Sequence, residues 1–119
     1  MSEKSIQILL VDDHAIVREG YRSLLQKQPN LTVIADARDA AEAYQNYKTF
    51  EPDVVIMDIS MPGQNGLQTL KQIKKHDKNV PVLMLSMHSE GQYAMRSMKA
   101  GASGYMTKET ASSQLVKAI

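Results

Sequence analysis

The sequence predicts an α/β fold: a doubly wound parallel sheet with helices on both faces. Three observations carry that expectation. Short apolar runs of strand character alternate with stretches of helical period along the whole chain, in the order βαβαβαβαβα. The runs Ile8-Leu9-Leu10-Val11, Val54-Val55-Ile56-Met57 and Val82-Leu83-Met84-Leu85 are apolar throughout, as befits strands buried on both faces. Strands that alternate with helices close through right-handed crossovers into parallel neighbours.

The elements follow in order. Ile6 to Val11 reads as the first strand. After it, Val17, Tyr21, Leu24 and Leu25 share one face while Arg18, Glu19, Arg22 and Gln26 lie outside, which makes an amphipathic helix. Pro29-Asn30 breaks it, and Leu31 to Ala35 follows with a weaker pattern that suits a strand near the sheet edge. Asp39, with Glu42 three residues on, forms a capping-box pattern before Ala43, Tyr44 and Tyr47, and Glu51-Pro52-Asp53 stops that second helix. The third strand ends in Asp58, followed by Pro62 and Gly63. Leu67, Leu70 and Ile73 define a third helix whose outer face carries Lys71, Lys74, Lys75 and Lys78, a solvated face on the simplest reading. Pro81 to Leu85 is a fourth strand. Ser89 with Gln92 offers a cap for a fourth helix carrying Met95 and Met98. Gly101 to Gly104 turns into a short fifth strand at Tyr105-Met106, and from Thr110 onward a helix begins that the chain end cuts short.

A chain of 119 residues fits one domain with a core of its own. Fourteen basic against 13 acidic side chains, a formal charge of +1, give no field to draw nucleic acid or an anionic membrane, so DNA binding would need a further domain. There is no Cys for disulfide or thiolate chemistry. Met1 to Ser5 leads straight into a strand without the apolar core of a signal peptide, and no apolar run approaches the ~20 residues of a membrane span. A soluble, cytoplasmic protein is expected.

In a doubly wound sheet the ligand crevice lies outside the C-terminal ends of the strands. Asp12 and Asp13 follow strand one, Asp58 ends strand three, Ser86 follows strand four and Lys108 lies just past strand five. Singly, Asp58 reads as a turn residue and Lys108 as a solvated lysine. Together they place three acids, a hydroxyl and an amine at one rim. Carboxylates that close repel by ~4 kcal/mol per pair at an effective dielectric near 20, so a cation belongs among them. Oxygen ligands without Cys or paired His favour Mg²⁺, with Mn²⁺ as the alternative, over zinc. A carboxylate can accept a phosphoryl group as an acyl phosphate, with metal and lysine stabilising the charge in transit, which makes Asp58 the candidate nucleophile.

The run Ile8-Leu9-Leu10-Val11-Asp12-Asp13-His14, the run Asp58 to Gly63 with Gly66, Ser86, and Gly101-Ala102-Ser103-Gly104-Tyr105 leading to Lys108 together resemble a response-regulator receiver domain of two-component signalling. Asp12 to Gly20 is further similar to the NarL/FixJ subfamily, whose receivers usually precede a LuxR-type helix-turn-helix. The resemblance implies a flavodoxin-like fold with sheet order 2-1-3-4-5, and residues 1–119 as the receiver of a longer protein with a C-terminal output domain. It implies a sensor histidine kinase as phosphoryl donor, and leaves room for a homodimer on phosphorylation. Asp13 and Asp58 would ligate Mg²⁺ with the backbone carbonyl of Ser60, Asp12 acting through water. Ser86 and Lys108 would each meet a phosphoryl oxygen, and Tyr105 would rotate to alter the face of the fourth helix, fifth strand and fifth helix. Two positions depart from the common pattern: Glu109 stands where many receivers have a cis-bonded Pro, and the bulky Met87 follows Ser86, narrowing the path for Tyr105.

His14, His76 and His88 lack metal-ligand spacing and read as surface or loop histidines. His88, two beyond Ser86, and Ser60, two beyond Asp58, could modulate phosphoryl lifetime. The eight Met residues read as adaptable core filling, with Met87, Met95 and Met98 as candidates for a repacking interface. An ordinary half-buried aromatic is the lesser reading of Tyr105, given its place by the lysine. A Mg²⁺-dependent aspartyl-phosphate phosphatase is the alternative enzyme class, disfavoured because Ser60 stands where a general acid is needed. A flavin binder is disfavoured because Asp12-Asp13 would repel a phosphate cradled after strand one. A stand-alone receiver acting through protein contacts is the remaining alternative.

Overall fold

The sheet grows outward from its first strand to both sides. In the computed structural model, which describes residues 6–58, 66–86 and 91–107, β1 (Ile6–Val11) pairs with β2 (Leu31–Ala37) on one flank and β3 (Val54–Asp58) on the other. Beyond β3 come β4 (Val82–Ser86) and β5 (Gly104–Thr107), every pairing parallel. The order is β2-β1-β3-β4-β5, the one the family resemblance implied. Helices α1 (Ala15–Gln26), α2 (Ala40–Phe50), α3 (Gly66–His76) and α4 (Gly91–Lys99) fill the crossovers. The Ser89 cap and the helix expected after Thr110 lie outside the described residues.

Alternating side chains of the central strands divide into two cores. Leu9, Val11, Val55, Met57, Val82 and Met84 pack with Ala43 and Tyr47 of α2 and Leu67, Leu70 and Ile73 of α3. On the other face Ile8, Leu10, Ile56, Leu83 and Leu85 pack with Tyr21 and Leu25 of α1. Each such large apolar side chain, fully buried, contributes about 1.5–3 kcal/mol of hydrophobic free energy.

β2 is two residues longer than its apolar run suggested, and a bulge explains its weak pattern. Ile8 pairs with Val33 but Leu9 pairs with Ala35, so Ile34 is passed over. The slip reverses the facing of the strand. Leu31 and Val33 lie in the α1-side core, whereas Ala35 and Ala37 lie against the other one. An extra residue in one strand has this effect because side chains alternate with a period of two.

Helix ends show what the local sequence does. Asp39 caps α2, its Oδ1 accepting from the Glu42 N–H at 2.9 Å, while Glu51 takes the left-handed conformation at the C-cap (φ 48°). α4 ends at Gly101, whose φ of 105° suits a residue without Cβ. α1 starts at His14, whose side chain makes no cap hydrogen bond. The lysine face of α3 is less uniform than expected: Lys74 is half-buried, and its Nζ donates to the carbonyls of Val80 (2.7 Å) and Lys78 (3.2 Å). Met57 and Met84 fill the core, but Met95 and Met98 are exposed at 60% and 53%, so core filling does not account for them. Tyr47 meets the His76 ring edge-on. Burial first, and the Asp77 carboxylate second, push its hydroxyl pKa up.

Asp39→Ala should cost about 1 kcal/mol by orphaning an N–H in the first turn of α2. Urea unfolding followed by circular dichroism measures it, and an unchanged midpoint would mean the cap contributes nothing.

Candidate functional site

The parallel register builds the site. Val11 lies opposite Met57, so the next residue on each strand, Asp12 and Asp58, comes level with the other at the C-terminal rim. Both carboxylates are almost completely buried, at 1% exposure. Asp13 and His14 follow Asp12 in the turn into α1 and stay partly open, with side chains 26% and 64% exposed. One ligand atom from each of Asp12, Asp13, His14 and Asp58 falls within 4.8 Å of all the others.

Local contacts set Asp12. Its backbone N–H donates to the Ala37 carbonyl at 3.0 Å, and its Oδ1 accepts from the His14 N–H at 2.9 Å. Its carbonyl accepts from Arg18 Nη1 at 2.6 Å. Arg18 also approaches Asp36 (Nε to Oδ2, 3.9 Å), and Arg22 donates to the same Asp36 oxygen. Asn46 of α2 donates to the Asp36 carbonyl at 2.8 Å. The bulge makes this anchor: Asp36 lies level with Leu10, a residue of the α1-side core, and so faces the helix that carries both arginines.

Three carboxylates at this spacing store like-charge repulsion that a cation would relieve. The fit is specific at Asp13, whose Oδ1 is buried yet accepts no hydrogen bond, although His14 Nδ1 stands 2.9 Å from it. Hard carboxylate oxygens match Mg²⁺ or Mn²⁺, and Asp12, Asp13 and Asp58 could hold such an ion.

Ser86 ends β4 one residue beyond Leu85, the residue level with Asp58, and pairs with Thr107. Tyr105 is half-buried level with Met84. Lys108, Ser60, Met87 and His88 lie outside the described residues. The structure therefore brings together Asp12, Asp13 and Asp58 and puts Ser86 at the same rim. Sequence reasoning missed four participants. His14 lacks ligand spacing to another histidine, yet its place directly after two acids is a signal. Helical period places Arg18 and Arg22 on an outer face, but they are only 17% and 27% exposed because they reach inward to Asp36. Asp36 carried no signal, because the bulge that aims it leaves none in a single sequence.

Residues 8–119 match the family described as the response regulator receiver domain. The chain is 43% identical over 114 residues to the transcriptional regulatory protein LnrK of Bacillus subtilis, covering 96% of this chain and 52% of that one. It is 37% identical over 119 residues to the transcriptional regulatory protein DegU of Brevibacillus brevis, covering all of this chain and 50% of that one. The chain thus spans about half the length of these curated relatives. Among solved structures, a LuxR-family two-component response regulator from Aurantimonas superposes with a TM-score of 0.91 at 42% identity, over 96% of this chain and 81% of that one.

Asp13→Asn should raise stability in EDTA by about 1 kcal/mol, the scale of one partly solvated like-charge contact. Millimolar Mg²⁺ should stabilise the native chain and leave the variant little changed. Chemical denaturation with and without the ion checks both, and a variant weakened in EDTA would refute the repulsion argument.

Proposed function

The chain belongs to the response regulator receiver domain family, of the LuxR type, and from that premise we propose that it is a switch driven by phosphorylation of Asp58. The gathering of Asp12, Asp13 and Asp58 within one ion's reach is the observation that carries this reading. A carboxylate oxygen of Asp58 attacks phosphorus. The P–N bond of a sensor kinase's phosphohistidine breaks, its electron pair stays on the imidazole nitrogen, and an acyl phosphate remains on Asp58. Water later attacks that phosphorus, releasing inorganic phosphate and restoring the carboxylate.

Asp12, Asp13, Asp58 and the Ser60 carbonyl would hold Mg²⁺, Asp12 chiefly through water. When bound, the ion supplies positive charge that offsets the carboxylates and the phosphoryl oxygens. Lys108 pairs with one phosphoryl oxygen, and the Ser86 hydroxyl bonds another. Tyr105 follows that hydroxyl inward, changing the surface of α4, β5 and the segment after it. Ser60 and His88 adjust how long the phosphoryl group survives, and Met87 narrows the path that Tyr105 takes. The chain assists its own phosphorylation and dephosphorylation and works as a regulator rather than as a turnover enzyme.

The relatives named as transcriptional regulators are about twice as long as this chain, which supports a C-terminal DNA-binding output domain controlled by the switch. Phosphorylation then favours a homodimer through the altered face. No helix among the described residues is long and apolar enough to cross a membrane, which is compatible with action in the cytoplasm.

With acetyl phosphate and Mg²⁺, where acetate leaves as the P–O bond breaks, the native chain should gain one phosphoryl mass and Asp58→Ala none. Mass spectrometry that placed the group on another residue would end the assignment, and solution mass recorded alongside reports any dimer. Lys108→Ala should fold normally and still accept the group, yet lose the chemical-shift changes that accompany phosphorylation in the native chain. Unaltered shifts in that variant would remove Lys108 from the relay.

A further inference from the structure

His14 occupies the N-cap of α1, where Ser, Thr, Asp or Asn would ordinarily satisfy the first free N–H groups. Its side chain makes no cap hydrogen bond. Instead Nδ1 is turned to the acids, 2.9 Å from Asp13 Oδ1 and 3.3 Å from Asp12 Oδ1. The rest of the ring is open to water, with the side chain 64% exposed. The imidazole thus neither caps the helix nor packs in a core. Its Nδ1 belongs to the set of four ligand atoms that share a 4.8 Å neighbourhood; carrying the proton it donates to Asp12 Oδ1 at 3.3 Å, and with the proton moved to Nε2 it would present a lone pair to an ion instead.

We propose that His14 is a fourth, nitrogen ligand of the divalent-ion site and tilts it toward imidazole-seeking first-row ions. This rests on the acidic site proposed above. Mg²⁺ keeps oxygen ligands and several waters, so it gains little from a nearby imidazole. Ni²⁺, Co²⁺ and Zn²⁺ accept a nitrogen readily, and their affinity for mixed nitrogen and oxygen sites rises along the Irving–Williams order. A ring on the open side of the cluster can replace one of the ion's waters without moving β1 or β3, whose carboxylates are buried. The consequence is a receiver whose occupancy answers to trace transition metals as well as to Mg²⁺.

The test is calorimetric titration of the native chain, His14→Ser and Asp13→Asn with Mg²⁺ and separately with Ni²⁺. Ser keeps an N-cap side chain, so α1 has no reason to unravel. His14→Ser should leave Mg²⁺ affinity within about twofold while lowering Ni²⁺ affinity by about tenfold or more, the scale on which a metal site feels the loss of a ligand or its support. Asp13→Asn should weaken both ions. In the Co²⁺-loaded native chain, a strongly shifted imidazole N–H proton resonance should appear and be absent from His14→Ser. The chain has three His residues, so a resonance that persists in the variant belongs to another histidine and overturns the proposal. Equal losses of Ni²⁺ and Mg²⁺ affinity in His14→Ser overturn it too, while leaving the acidic site standing. Mg²⁺ binding that Asp13→Asn leaves unchanged overturns the acidic site and this inference together.

Discussion

Parallel register forces two buried carboxylates abreast. Val11 and Met57 are locked opposite one another by the β1–β3 ladder, so Asp12 and Asp58 cannot separate unless the sheet slips. A slip is costly, because moving either strand by one residue would carry Leu9, Val11, Val55 and Met57 out of one core and into the other. The hydrophobic order of the central strands thus holds together charges that would disperse on a free surface. Crowding of these acids is a by-product of packing, and a cation at the rim would relieve it.

A second layer keeps the first in place. Arg18 bonds the carbonyl of Asp12 while reaching toward Asp36, and Arg22 and Asn46 hold Asp36 from either side. α1, α2 and the end of β2 therefore meet at one acid that takes no part in the cluster itself. This cationic support lies on the backbone side of Asp12. It steadies the turn through the backbone of Asp12 rather than through its carboxylate.

Much of the fold could be read from the residues because the central strands carry unbroken apolar runs and α1, α2 and α3 each bury a clear inner face. The Asp39 cap was equally plain, since an acid followed three residues on by Glu has few other uses before an apolar stripe. The acidic trio followed from position, as strand ends in such a sheet open on a shared crevice. What the sequence does not show depends on direction rather than on composition. Arg18 and Arg22 occupy outward positions on a helical wheel, but long side chains can turn back along the surface to a buried acid. His14 has no second histidine at ligand spacing, yet its partners are neighbours in space rather than in sequence. Met95 and Met98 carry no mark that separates core methionines from exposed ones.

The slip at Ile34 reaches beyond aiming Asp36. β2 is the outermost strand on its side of the sheet, and its free margin would otherwise run as a regular ribbon of seven residues. A bare ribbon of that length is a template on which another chain can hydrogen-bond, the first step toward aggregation. The extra residue throws the strand's outward amides and carbonyls out of phase with any straight newcomer, so the irregularity that orients an internal acid also guards this edge of the described sheet.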